Sequence, residues 1–112
     1  MAALAGKTAL LTGALGTLGR AQARTLGVNG AKLLLLDRPD APNGEASIAE
    51  IARETGSDAI YVGQDLNDLS GSEAAVRHLA KEHGQIDILI NNAALTINRP
   101  FSVSEQQLTI LP

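Results

Sequence analysis

The stretch that decides the fold reads Thr12-Gly13-Ala14-Leu15-Gly16-Thr17-Leu18-Gly19. It begins at the end of a short apolar run, 7–12, and leads into a helix-like segment, 17–28. That segment ends before Asn29-Gly30. Asn and Gly both tolerate a positive φ, which suits the end of a helix. Because the chain contains 11 glycines, glycine spacing alone is a weak signal. The signal is stronger because the stretch lies between a predicted strand and a predicted helix, which predicts a β-α turn.

Apolar runs followed by helix-like segments recur along the whole chain. Three of the four runs are almost continuously apolar, which is typical of strands covered on both faces of a parallel sheet. This order predicts an open, doubly wound parallel sheet in a three-layer α/β/α arrangement, with strand order 3-2-1-4 from right-handed crossovers. The predicted strands are 7–12, 31–36, 58–62 and 86–90, and the predicted helices are 17–28, 45–55, 71–83 and one that opens at Ser104 with a capping box to Gln107.

Composition limits the classes of function. With 112 residues, 45% of them hydrophobic, we expect one domain over residues 1–112. The chain has no cysteine, so disulfides, thiolate metal sites and cysteine nucleophiles are excluded. A net charge of −3 gives no reason to expect nucleic acid or an anionic membrane as a partner. The longest aliphatic run, 33–36, is far below the ~20 residues of a membrane span, and we find no secretory signal, so we expect a cytoplasmic protein.

The glycine turn lies where ligands bind in such a sheet, at the carboxyl ends of the strands beside the reversal of winding. Gly13 suits a tight turn, Gly16 lets backbone approach a pyrophosphate, and Gly19 lets the helix pack on the strand. The helix N-terminus offers free N–H groups and a partial positive charge to that pyrophosphate. The alternative is a plain β-α turn that is rich in glycine.

Asp37 favours the nucleotide interpretation. It follows the second predicted strand, 18 residues after Gly19, close to the ~20-residue offset at which a carboxylate meets the adenosine ribose. A carboxylate there accepts from two ribose hydroxyls and repels a 2′-phosphate, so we expect NAD ahead of NADP. Arg38 keeps NADP open, because a guanidinium at this place can hold a 2′-phosphate. The alternatives for Asp37 are a solvated loop acid or a partner of Arg38.

Four features, in this order, resemble the short-chain dehydrogenase/reductase family. They are the glycine turn, Asp37, the pair Asp65-Leu66 after the third strand, and Asn91-Asn92-Ala93-Ala94 after the fourth. The resemblance covers essentially the whole chain and implies a Rossmann-like fold that binds a nicotinamide dinucleotide. It implies that Asp65 caps the adenine amino group, with Leu66 beside the ring. The cofactor-binding residues expected in this way are Gly13, Leu15, Gly16, Thr17, Leu18, Gly19, Asp37, Arg38, Asp65, Leu66, Asn91, Asn92 and Ala93.

Two positions depart from the family pattern. One branch of the family has Thr-Gly-x-x-x-Gly-x-Gly in the first turn, which would place glycine where this chain has Thr17. Gly16, one place earlier, resembles the spacing of the extended branch, and the Thr17 hydroxyl offers a donor to a phosphate oxygen. Ala94 stands where the family usually has glycine.

No catalytic residue is predicted. The resemblance implies chemistry by a tyrosine, a lysine four residues later, a serine and an asparagine. The only tyrosine here, Tyr61, is followed four residues later by Asp65, and it lies in a predicted strand, so we interpret it as a core residue. His78 and His83 are five residues apart on a predicted helix and do not share a face, so no metal site is predicted. We expect this chain alone to be inactive.

Three hypotheses follow. The first is the NAD(P)-binding part of a truncated short-chain oxidoreductase, which transfers hydride between nicotinamide and an alcohol or carbonyl. The second is a non-catalytic NAD-binding regulatory module, and the third is an interaction partner of a full-length relative. With strands 3-2-1-4 alone, the strand 86–90 would be an open edge, so we expect a homo-oligomer or pairing through that edge.

Overall fold

Residues 3–92 and 109–110 are described by the computed structural model. The helices and strands are β1 (Thr8–Thr12), α1 (Thr17–Val28), β2 (Lys32–Asp37), α2 (Gly44–Thr55), β3 (Ala59–Gly63), α3 (Leu69–His83), β4 (Ile88–Asn91) and β5 (Thr109–Ile110). Strands β1 to β4 are parallel and lie in the order β3-β2-β1-β4, which confirms the predicted order and the Rossmann-like doubly wound sheet. No helix within the described ranges is long and apolar enough to cross a membrane.

Strand β5 differs from the prediction. The sequence predicts a helix that opens at Ser104, but this prediction is wrong at Thr109 and Ile110, which pair antiparallel with Leu89 and Ile88. Residues 104–108 lie outside the described ranges. Thr and Ile are β-branched and favour strands, and the edge of β4 offers unpaired N–H and C=O groups. The expected open edge at β4 is therefore closed at these two positions.

Both faces of the sheet are covered by helices, as the almost continuous apolar runs predict. On one face, Leu11, Leu33 and Leu35 pack with residues of α1 and α2, among them Ala23 and Ile51. On the other face, the alternating neighbours Leu10, Leu34 and Leu36 pack with Leu79 of α3. Each leucine side chain removed from water contributes about 1.5–3 kcal/mol, so β1 and β2 form the centre of the core.

The inner face of helix α1 is made of small residues, which allows a close approach to its neighbours. Gly19, Ala23 and Gly27 are spaced by four and are all buried. A Cβ atom at Gly19 would be 2.9 Å from the Cα of Ala14 and closer still to the Gly13 carbonyl oxygen. The missing side chain of Gly19 thus lets the start of α1 rest directly on the turn that follows β1.

Tyr61 of β3 is half-buried and holds the segment between β2 and α2. Its hydroxyl donates to the carbonyl oxygen of Arg38, and its ring lies so close to Gly44 that a Cβ there would be 2.9 Å from Cζ. Burial, and then the nearby charge of Asp37, raise the pKa of the Tyr61 phenol above its usual 10.0. Tyr61 therefore packs against the core as predicted, with its hydroxyl at the rim.

Gly19→Ala should destabilise the protein. The added methyl must displace backbone atoms of Gly13 and Ala14, and overpacking of this kind costs about 1–3 kcal/mol. Denaturant unfolding measures the loss. Gly16→Ala is the control, since a Cβ at Gly16 would meet only the Gly13 carbonyl oxygen at 3.4 Å. Equal losses in the two variants would contradict the proposed close approach.

Stability should fall at alkaline pH because of Tyr61. The folded state holds the phenolic proton more tightly than the unfolded chain, so this contribution is complete below pH 10.0 and is lost as the pH rises through the raised pKa. The measurement is the free energy of unfolding as a function of pH for the natural protein and for Tyr61→Phe. The phenylalanine variant should show a shallower alkaline decline, and identical slopes would refute this role of Tyr61.

Candidate functional site

A cleft of about 530 Å³ lies at the carboxyl ends of β1, β2 and β3. This is the edge at which the sequence predicts a ligand, because parallel strands of such a sheet direct their following loops to one crevice. The predicted residues that line the cleft are Gly13, Leu15, Gly16, Asp37, Arg38, Asp65, Leu66 and Asn92.

The glycine turn is fixed by backbone contacts. Gly13 has a φ of 63°, a conformation that favours glycine. The Ala14 N–H donates to the carbonyl oxygen of Leu36 (3.1 Å), which ties the turn to the end of β2. Gly16 has φ −70° and ψ 166°, which any residue adopts, and the space beside it is nearly empty. Folding therefore does not require glycine at position 16, whereas close approach of a ligand would.

The start of α1 has no side-chain cap. Gly16 is the N-cap residue and provides no side-chain hydrogen bond, and the first turn contains no acidic residue. The first N–H groups of a helix have no intrahelical acceptor and carry a partial positive charge. Thr17 and Leu18 are exposed at this end but do not line the cleft, and Gly19 is buried beneath the turn. Of the predicted residues in α1, Gly19 thus has a packing role.

Asp37 is held in a defined orientation at the mouth of the cleft. Its Oδ2 accepts from the Leu15 N–H at 2.9 Å, and its Oδ1 accepts from the Arg38 N–H at 2.7 Å. A carboxylate oxygen has two lone-pair sites, so each oxygen can accept from one more donor. Asp37 is thus held by two backbone N–H groups and lines the cleft.

The segment after β3 contributes Asp65 and Leu66. Asp65 is exposed, and its Oδ1 accepts from the Asn67 N–H at 2.9 Å, which forms a local turn. The Gln64 N–H donates to the carbonyl oxygen of Asp37 at 2.9 Å. These bonds place the end of β3 beside the end of β2. Asp65 and Leu66 therefore lie in the same crevice as Asp37.

The two predicted asparagines have different positions. The Thr12 hydroxyl donates to Asn91 Oδ1 at 2.6 Å, which joins β1 to β4 below the cleft. The Asn92 N–H donates to the Thr12 hydroxyl oxygen at 3.1 Å, and its Nδ2 donates to Gln22 Oε1 at 2.5 Å. Asn92 lines the cleft and Asn91 does not. Ala93 and Ala94 lie outside the described residues.

Sequence reasoning missed four residues that line the cleft, namely Ala41, Pro42, Gln64 and Asn67. A signal for them existed, because the loop 38–43 and the residues after β3 both follow carboxyl ends of strands. These four residues belong to no motif, so their side chains alone do not indicate a ligand.

Among the described residues, no group of three or more His, Asp or Glu side chains is arranged to hold a metal ion. His78 Nε2 lies 3.0 Å from Glu82 Oε1, and His83 Nε2 lies 3.6 Å from Glu82 Oε2. The two histidines thus flank one exposed glutamate on α3.

Comparisons with solved structures reveal similar folds with nicotinamide cofactors. An NAD⁺-bound xylitol dehydrogenase superposes with a TM-score of 0.76 and 30% identity, over 83% of this chain and 35% of that protein. An NADPH-dependent 3-quinuclidinone reductase from Rhodotorula rubra superposes with a TM-score of 0.71 and 29% identity, over 78% of this chain and 32% of that protein.

Sequence comparisons point to the same relationship. The oxidoreductase UcpA of Escherichia coli strain K12 is 40% identical over 95 residues, which cover 85% of this chain and 35% of UcpA. The chain thus spans about a third of the length of the relatives it matches. Residues 7–109 match the profile of the family described as short chain dehydrogenase. The cleft at the ends of β1 to β3, the glycine turn and these matches agree, and the chain belongs to the short-chain dehydrogenase family.

Proposed function

We propose that this chain is the NAD-binding part of a short-chain oxidoreductase, with residues 1–112 as one dinucleotide-binding domain. The observation that carries the proposal is the Asp37 carboxylate, which is fixed at the mouth of the cleft by the Leu15 N–H at 2.9 Å. The family match and the NAD⁺-bound relative support a nicotinamide dinucleotide as the ligand.

The residues present fit such a ligand. The open space at Gly16 and the uncapped start of α1 suit a pyrophosphate, which needs close backbone and N–H donors. The free lone pairs of Asp37 suit the two hydroxyls of the adenosine ribose. Asp65 and Leu66 lie beside Asp37 and suit the adenine, with a carboxylate for its amino group and an apolar surface for its ring.

The geometry favours NAD over NADP. A 2′-phosphate would lie against the Asp37 carboxylate, whose orientation is fixed by two backbone N–H groups. Arg38 lines the cleft and is exposed, so it can offset part of this repulsion. We therefore propose NAD as the preferred cofactor, with weaker binding of NADP.

The residues of this chain bind and orient the cofactor. A bound nicotinamide would exchange hydride with an alcohol or carbonyl, as in the family as a whole. The Leu15 N–H holds the Asp37 carboxylate in place, and Asn92 lines the cleft just after β4. Tyr61 is engaged with Arg38 and packs on Gly44, so it is not a proton donor for that reaction. We propose that the chain alone binds cofactor without turnover.

Self-association is also proposed. The side chains of Ile88, Leu89 and Ile90 in β4 are only half-buried, whereas β1 beside it is buried throughout. Partly exposed apolar side chains in a strand favour association with another surface.

A nicotinamide dinucleotide is an intracellular metabolite, which supports the cytoplasmic location expected from the sequence.

The first test of function is Asp37→Asn. Titration calorimetry should show NAD binding to the natural protein, and the variant should bind NAD less tightly, because a charged hydrogen bond contributes about 1.5–3 kcal/mol, at least about tenfold in Kd. The asparagine oxygen still accepts from the Leu15 N–H, so the turn is preserved. NADP binding should weaken less or improve.

The matched control is Asp40→Asn, which removes the same charge from an exposed position three residues later that does not line the cleft. It should leave the preference for NAD unchanged. No detectable NAD binding by the natural protein would remove the proposal and favour a role as an interaction partner.

A second test is Gly16→Ala. The methyl would occupy the space proposed for the pyrophosphate, and the resulting clash should weaken NAD binding by about 1–3 kcal/mol. Calorimetry gives the affinity, and denaturant unfolding should show little change in stability. Unchanged affinity for NAD would mean that no ligand approaches the backbone at Gly16.

A further inference from the structure

The chain contains two Asn-Gly dipeptides in different surroundings, Asn29-Gly30 and Asn43-Gly44. In such a dipeptide the glycine nitrogen can attack the asparagine side-chain carbonyl carbon, since glycine has no side chain to obstruct the approach. A succinimide ring forms as the C–N bond to the side-chain amide breaks and ammonia leaves. Water then opens the ring to aspartate or isoaspartate, with no oxidant or cofactor.

The side-chain amide of Asn43 is not held by a capping hydrogen bond. It is exposed and is the N-cap residue of α2, but its φ of 59° and ψ of 23° are left-handed, and it makes no side-chain cap hydrogen bond. A capping asparagine normally has an extended backbone, from which its oxygen reaches an N–H of the first turn. The left-handed backbone prevents this, and the side-chain amide is left without the bond that would hold it.

The attacking nitrogen is also favourably placed. Gly44 is the first residue of α2, so its N–H is among those without an intrahelical acceptor. Negative charge that develops on this nitrogen is stabilised by the partial positive charge of the helix N-terminus. The attack costs the Gly44 N–H no helical hydrogen bond, although the Asn43 carbonyl oxygen, which accepts from the Ser47 N–H at 2.9 Å, must turn as the ring closes.

Asn29-Gly30 provides a control within the same chain. The Asn29 Nδ2 donates to the Thr25 carbonyl oxygen at 2.8 Å, so its side-chain amide is held. The Gly30 N–H donates to the Gly27 carbonyl oxygen at 2.9 Å, so its nitrogen is engaged. Asn29 has a φ of −85° and carries no left-handed strain. Both reacting groups are held by hydrogen bonds here, whereas the Asn43 side chain makes no capping hydrogen bond and the Gly44 N–H has no helical acceptor.

We propose that Asn43 is a site of spontaneous deamidation in the folded protein. The product carboxylate adds one negative charge to a chain whose net charge is −3. It lies in the loop that contributes Ala41 and Pro42 to the cleft, at a helix N-terminus where a carboxylate is favourable. The modification requires nothing beyond water, so it proceeds whether or not a nucleotide is bound.

The experiment is an incubation of the native chain at mildly alkaline pH in ¹⁸O-labelled water, followed by peptide mapping with mass spectrometry. We expect heavy oxygen to enter at residue 43 several-fold faster than at residue 29. In concentrated urea the two rates should become similar, because the structural difference is removed. Isoelectric focusing should show an acidic form accumulating in the natural protein and in Asn29→Gln, but not in Asn43→Gln.

Glutamine retains the polar amide and forms its ring far more slowly, so the two glutamine variants isolate the reaction at each site. Equal native rates at the two asparagines, or faster reaction at Asn29, would overturn the proposal. So would a native chain that stays unmodified over a period in which the urea-unfolded chain reacts at both sites.

Discussion

The structure depends on the close contact between Gly19 and the turn that follows β1. Because position 19 has no Cβ, α1 starts directly above Gly13 and Ala14 and points its N-terminus at the carboxyl ends of the strands. A larger residue would lift the helix and move its free N–H groups away from the cleft. The same small inner face continues to Gly27, where α1 meets Thr55 of α2. The position of the helix end that we propose for the pyrophosphate thus follows from helix packing.

A second contact joins this turn to the neighbouring strand. The Leu15 N–H donates to the Asp37 carboxylate at 2.9 Å, and the Ala14 N–H donates to the Leu36 carbonyl oxygen at 3.1 Å. The proposed phosphate and ribose subsites are therefore built as one unit from β1 and β2. Further from the turn, Thr12 binds Asn91 and Asn92, which fixes the end of β4 to the same unit.

Much of this arrangement is predictable from the sequence, for physical reasons. The apolar runs at β1 and β2 are almost continuous because both faces are buried, and the order of the parallel strands follows from the handedness of crossovers. Asp37 is found from its distance along the chain after the glycine turn, which a ribose-binding carboxylate requires, and Asp65 is found from the resemblance to the family. The pairing of Thr109 and Ile110 with β4 is not predictable from local pattern, since Ser104 to Gln107 resembles a helix start and only the tertiary edge favours the strand. Residues such as Gln64 and Pro42 carry no motif, and their place in the cleft depends on the course of two loops.

The hydrogen bond between Leu15 and Asp37 also constrains how cofactor preference can change. A substitution at position 37 that favours NADP must remove the negative charge. If the new side chain has no acceptor, the Leu15 N–H loses its hydrogen bond as well. An N–H left unpaired costs about 1–3 kcal/mol where water cannot replace the acceptor. A neutral acceptor such as asparagine or serine keeps the turn in place, whereas alanine does not. In the proposed binding mode, selectivity for the ribose and the geometry of the glycine turn are therefore coupled through one side chain, and we expect a switch toward NADP to require both a neutral acceptor at position 37 and the guanidinium of Arg38.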